Sequence, residues 1–308
     1  MRYLKRRGFT LIEIMVALAI FGLVAAAFLQ VILTGQRVTA MEQARAGLQS
    51  NLRVGSMMVP NELRMLNQSD TSDILAISDT SVMYLAMRGY YTLCAAPTST
   101  TTINVMRVPG TGLNFDYRPA AALDNAFIFY EDDTLKMSDD KWVRVGISAV
   151  AAGTCTYPSV SGSSRASLAL TLSPGIPTTW ASNNPILNRF LEGSPVRTYE
   201  VTRMSLYSDN GQNWFGMCTG GSVASPCTLQ PVLGPLAPTN GVTITQYDSA
   251  GTAVHASTLA QLNSLRSMQI RFIGISDQKV AHGTGNANLD YVTDTLTTVV
   301  TLRNVRQN

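Results

Sequence analysis

From Ile14 to Leu33 the chain carries no charged residue, and Gln30 is its only strongly polar side chain. Ala, Leu, Ile, Val and Phe fill nearly all of it. At about 1.5 Å rise per residue, twenty helical residues span roughly 30 Å, the hydrocarbon thickness of a bilayer. The run is apolar on all sides, so it reads as a membrane span and not as one face of a soluble helix. A basic head (Arg2, Lys5, Arg6, Arg7) precedes it. The positive-inside bias keeps that head cytoplasmic and sends everything after the span across the membrane.

The junction between head and span is Arg6-Arg7-Gly8-Phe9-Thr10-Leu11-Ile12-Glu13. A secretory signal peptide would be cut after the apolar run, and Ala25-Ala26-Ala27 offers small residues for that. A plain anchor would need no cut. Neither accounts for Glu13, whose carboxylate at the front of the span costs about 2.5–3.5 kcal/mol on insertion scales and so calls for a partner.

Gly8-Phe9-Thr10-Leu11-Ile12-Glu13 with its attached apolar run resembles the leader junction of type IV prepilins and type II secretion pseudopilins. The resemblance implies cleavage between Gly8 and Phe9 by a membrane peptidase, followed by N-methylation of Phe9 by the same enzyme. It places Glu13 on the acid that draws the terminal amine of a neighbouring subunit into register during filament assembly. A cation and a carboxylate at one apolar edge offset much of each other's desolvation cost. The implied fold is α+β and type IV pilin-like: a long N-terminal helix, membrane-spanning in its first half, packed on a large antiparallel sheet. The implied division is a leader at residues 1–8, a transmembrane and assembly helix at 9–33, its amphipathic continuation at 34–59, and a β-rich periplasmic or extracellular head at 60–308.

With this division the stated net charge of +3 changes meaning. Removing residues 1–8 takes away four bases, leaving 19 Lys and Arg against 20 Asp and Glu. A near-neutral mature chain with no basic tract offers no clear nucleic-acid surface. All four cysteines, Cys94, Cys155, Cys218 and Cys227, lie beyond the span, and an even count in an exported head suits disulfides. Three pairings are open. Cys218 and Cys227 bracket a Gly/Ser/Pro-rich stretch, which favours a local bridge and leaves Cys94 with Cys155. Metal binding is disfavoured: there is no C-x-x-C pair, and His255 and His282 are far apart in sequence.

After Leu33 the helix gains Arg37, Glu42, Arg45 and Arg53, while Val38, Met41, Leu48 and Leu52 form an apolar stripe for packing against the head. Ala44 and Ala46 permit close approach, and Pro60 is expected to end or kink the helix near Val59. From Asp73 the period becomes strand-like. The predicted strands are Ser81–Leu93, Thr102–Val108, Ala126–Glu131, Trp142–Val150, Ala166–Leu172, Thr198–Tyr207, Gly241–Tyr247, Met268–Ile275 and Thr295–Leu302. A short helix is expected within Ala256–Ser267, and a loop or boundary over Pro174–Pro195.

No cofactor or catalytic constellation is read from the sequence. Gly283-Thr284-Gly285 lacks the third glycine of a dinucleotide loop, and Glu131-Asp132-Asp133 and Asp139-Asp140 read as solvated turns ahead of the alternative, calcium binding. Tyr90-Tyr91 and Trp214-Phe215 read as core, and Arg203 and Arg271 as surface. The large head and the closing Arg303-Asn304 resemble W-type minor pilins and, next, J-type pseudopilins. That implies a non-enzymatic minor pilin inserted by a single pass in the inner membrane, its head periplasmic and later on the pilus. Implied partners are other major and minor pilins, the prepilin peptidase, the assembly platform and motor, and membrane lipid before assembly. The alternatives are a secretion pseudopilin, or a tip adhesin or DNA-uptake subunit.

Overall fold

The computed structural model describes residues 10–66, 73–107, 124–131, 141–156, 164–177, 190–220, 227–281 and 289–302. Helix α1 runs Leu11–Leu63. It starts at a capping box: Thr10 Oγ1 accepts from the Glu13 backbone N–H, and the Glu13 carboxylate accepts from the Thr10 N–H. Burial divides it in two. Residues 11–36 are exposed apart from the half-buried Ala25. Then Met41, Ala44, Leu48, Leu52, Gly55, Val59 and Leu63 turn inward at steps of three and four. Val38 misses this stripe by one position and is 50% exposed, so it lies outside the expected packing face. Pro60 does not end the helix near Val59, one of the two outcomes expected of it. Arg64 donates its N–H to the Pro60 carbonyl, and Leu63 and Leu66 are buried beneath that turn. Packing of the two leucines offsets the lost helical hydrogen bond.

The rest is one antiparallel sheet with a short helix. In chain order the strands are β1 Ile74–Ile77, β2 Ser81–Leu93, β3 Thr102–Arg107, β4 Asp124–Tyr130, β5 Lys141–Thr156, β6 Ser164–Leu172, β7 Pro195–Asp209, β8 Gln212–Thr219, β9 Gln230–Leu236, β10 Val242–Tyr247 and β11 Ala253–Val254. Helix α2, Leu259–Ser264, then leads to β12 Ser267–Ala281 and β13 Leu289–Thr301. The strands predicted from patterning are present, several of them longer than expected. Four others, β1, β8, β9 and β11, were not predicted. Val108, residues 178–189 of the expected loop, His282, Gly283-Thr284-Gly285, Asp132-Asp133 and Asp139-Asp140 lie outside the described residues.

Two large cores share this sheet, with a smaller buried cluster around Phe127 and Tyr199 beside them. In the first, the inner half of α1 lies against β9, β12 and β13, burying Leu48, Leu52, Val59 and Leu63 with Met268, Ile270, Phe272, Val292 and Val300. Contact is close because two glycines take leucines. A Cβ on Gly274 would stand 2.5 Å from Leu48 Cδ1, and one on Gly55 would stand 2.6 Å from Leu233 Cδ2. The second core is a closed ring. β2 pairs with β3, β3 with β6, β6 with β5, β5 with β4, β4 with β7, and β7 returns to β2. This antiparallel barrel encloses Tyr91, Val105, Ile128, Val145, Leu170 and Val196. It is inserted between the outer parts of β2 and β7, whose inner parts belong to the helix-bearing sheet.

Candidate assembly site on the N-terminal helix

The front of α1 carries the residue singled out for filament assembly. Glu13 is exposed in the first turn. Its Oε2 accepts from the Thr10 N–H and from the Thr10 hydroxyl, each at 3.0 Å. Gly8 and Phe9 lie outside the described residues. On either side of Glu13, Leu11, Phe21, Leu23, Phe28 and Val31 are each 67–78% exposed. Leaving so many large apolar side chains uncovered in water is unfavourable, at roughly 1.5–3 kcal/mol for each one that remains unburied. The segment therefore belongs in lipid or against other helices. Among the described residues α1 is the one helix long and apolar enough to cross a membrane.

The inner half of α1 ties this segment to the head. Near its end, Tyr84 on β2 donates its hydroxyl to Glu62 Oε2 at 3.5 Å. Burial, with Glu62 alongside, pushes the Tyr84 phenol well above its usual range. Further along the shared strands, Arg88 pairs with Glu200 and reaches Thr202 Oγ1 at 3.4 Å. At the barrel wall the Arg197 guanidinium lies 3.9 Å from the Trp142 ring centroid. Burial lowers the Arg197 pKa, with Asp73 acting against that shift. These contacts couple α1, β2 and β7, and Glu62, Asp73, Arg88 and Arg197 line a cleft of about 260 Å³ between them.

The cysteines fall into two pairs. Cys94–Cys155 joins the end of β2 to β5 across 61 residues, and Cys218–Cys227 closes a loop after β8 across 9. Tyr91 and Phe215 are in the core, while Tyr90 and Trp214 are half-buried. Arg271 is exposed and Arg203 half-buried. His255 lies on the surface 3.5 Å from Asp79. Among the described residues no group of three or more His, Cys, Asp and Glu side chains is placed to hold a metal ion.

One exposed apolar helix, opened by the Thr10–Glu13 capping box and fixed to a large antiparallel sheet, has the form of a membrane anchor carrying a head. Residues 3–29 match the family model described as the prokaryotic N-terminal methylation motif, which indicates a type IV pilin-like or pseudopilin protein. The long helix and the sheet have the α+β architecture of that group, which is structural and not enzymatic. The motif implies processing by a prepilin peptidase and association with other pilins. Neither the curated proteins nor the solved structures gave a match to this chain.

Proposed function

We propose that this chain is a minor pilin, similar to the W type, that primes assembly of a type IV pilus or sits near its tip. The peptidase cuts between Gly8 and Phe9, and Phe9 is then methylated. Glu13 trades its contacts with Thr10 for the ammonium of the adjoining subunit. The head waits in the periplasm and is later carried to the cell surface. The observation behind this reading is the exposed, uncharged half of α1 that begins directly after Glu13. The inserted barrel supports a low-copy place. Packing parallel helices closely along a shaft leaves little lateral room for a head enlarged by a second core.

The test is Glu13→Ala in cells that build the filament. Removing one partner of a buried ion pair costs about 3–5 kcal/mol, so incorporation falls at least tenfold while membrane insertion and both disulfides persist. Incorporation at the wild-type level refutes the assembly role. The purified native chain starts at Phe9 with a methylated amine; a start at Met1 refutes the junction. A deletion strain with retraction blocked loses filaments under this reading. Loss of protein secretion with filaments intact would instead favour a J-type pseudopilin.

A further inference from the structure

β13 is an edge strand: among the described residues it pairs with β12 alone. Its open side can be assigned residue by residue. Ile273 on β12 donates its backbone N–H to Gly241, toward β10. Alternate residues of an antiparallel strand bond to opposite neighbours, so the even-numbered residues of β12 bond toward β13. Phe272 opposes Leu296 and Ile270 opposes Thr298, and Leu302 donates its N–H to the Arg266 carbonyl. The even-numbered residues of β13 therefore face β12. Thr297 and Val299 present their N–H and C=O groups outward, while the Thr295 N–H on the same side is held by Asp294 Oδ1 at 2.8 Å.

From Thr297 onward this open edge lacks the usual protection. Thr295 to Thr301 reads Thr-Leu-Thr-Thr-Val-Val-Thr, with no charge, proline or glycine. Edge strands are ordinarily shielded by lysines, prolines or bulges, and uncharged β-branched stretches of this length invite pairing. Thr297 is exposed, and Val299 is 53% exposed. Beside the edge, between β13 and α1, runs a cleft of about 470 Å³. Ala46, Leu52 and Leu296 give it apolar lining; Gln49, Arg53 and Asp294 give it polar lining. A strand added to β13 would turn every second side chain toward this cleft.

We propose that β13 receives an extended strand from a neighbouring, different pilin-like subunit, which adds to the sheet and seats small apolar side chains in the cleft beside α1. This rests on the pilin reading above. The cleft's helical wall is continuous with the exposed apolar half of α1, so a subunit lying alongside that helix also meets the edge. A second copy of this chain does not fit. Antiparallel self-pairing of β13 requires a two-fold axis perpendicular to the sheet, which reverses the second α1. Two chains so joined cannot insert from the same side of one membrane. Parallel self-pairing puts the two helices on opposite faces of the joined sheet and turns each threonine-rich face to the other's apolar cleft.

The experiment uses the full chain in cells that build the filament, with a benzophenone amino acid at Thr297 and, separately, at Phe21 on the apolar helix. The expected result is a photocrosslink from both positions to a different chain that carries the same N-terminal methylation motif, identified by mass spectrometry. Thr297→Pro removes an outward N–H and lowers recovery in filaments roughly tenfold or more. Thr297→Val keeps that N–H and leaves recovery unchanged. A crosslink from Phe21 but none from Thr297, or one from Thr297 only to a second copy, overturns the edge proposal and leaves the pilin reading standing. Crosslinks to no pilin-like chain from either position overturn both. If Thr297→Pro fails to form its disulfides, the crosslink at Thr297 decides alone.

Discussion

Replacing Gly274 with valine tests the seam between helix and sheet. The glycine has no side chain where Leu48 and Leu52 of α1 rest on β12. A Cβ there would stand 2.5 Å from Leu48 Cδ1, 3.2 Å from Leu52 Cδ2 and 3.3 Å from Leu52 Cγ. Leu48 cannot simply swing aside, because it and Leu52 are both only 4% exposed. The two γ-methyls of valine add to the overlap, and overpacking of this kind costs about 1–3 kcal/mol. For a head of this size each kcal/mol lowers Tm by about 2–4 °C, so the expected fall is roughly 2–12 °C. Leu48→Ala alone empties a core site and costs about 2–5 kcal/mol. In the double variant the new valine occupies part of that space. The two costs should then fall short of their sum by about 0.5–3 kcal/mol. The assay is thermal unfolding of the full chain in detergent, followed by near-UV circular dichroism. Additive costs, or a Gly274→Val chain as stable as the parent, would show that α1 does not bear on β12 at this glycine.

The two disulfides should differ in worth. Chain entropy assigns roughly 4 kcal/mol to the Cys94–Cys155 bridge over 61 residues and roughly 2.5 kcal/mol to Cys218–Cys227 over 9. Paired serine substitutions compared by urea midpoint check this, and an equal or larger loss from the shorter loop contradicts it. Alkaline pH should also destabilise the head. Burial raises the Tyr84 and Tyr199 phenols above their unfolded value. Above about pH 10 the unfolded chain releases those protons first, so stability is full below that pH and falls as pH rises through it. Urea midpoints between about pH 8 and 11 measure the slope. A slope unchanged in a Tyr84→Phe, Tyr199→Phe variant would remove these residues from the account.

How much was legible in the sequence depended on how local the cause was. The helix and its two-part character were readable because charge and apolar spacing are properties of one segment. Strands such as Ser81–Leu93 were readable because β-branched and aromatic residues cluster between turn residues. Two misses have separate causes. β8 was marked by Asn210-Gly211, both at positive φ in the two-residue hairpin that joins β7 to β8. That signal was present and went unused. β9 contains Pro231, Gly234 and Pro235, which argue against a strand locally, and it exists because β8 and α1 cover it. The helix end expected at Pro60 is absent for the same reason: its local cost is set against leucines buried by contacts distant in sequence.

The barrel lay beyond sequence reading for a stricter reason. Its closure is carried by β2 pairing with β7 more than a hundred residues later, and no periodicity marks which strands will meet. That pairing also ties the second core to the assembly helix. β2 and β7 are single strands of 13 and 15 residues that run from the helix-bearing sheet into the barrel wall. Met204 lies under α1 while Val196, on the same strand, lies inside the barrel. The Arg88–Glu200 pair locks the two strands together between those cores. A lateral force on the barrel is thus resisted by backbone hydrogen bonds of the β2–β7 ribbon on both sides of its irregularity at Arg88, not by a flexible linker. Whatever the barrel's outer surface meets, its orientation follows that of α1, which in the proposed filament is set by the neighbouring helices.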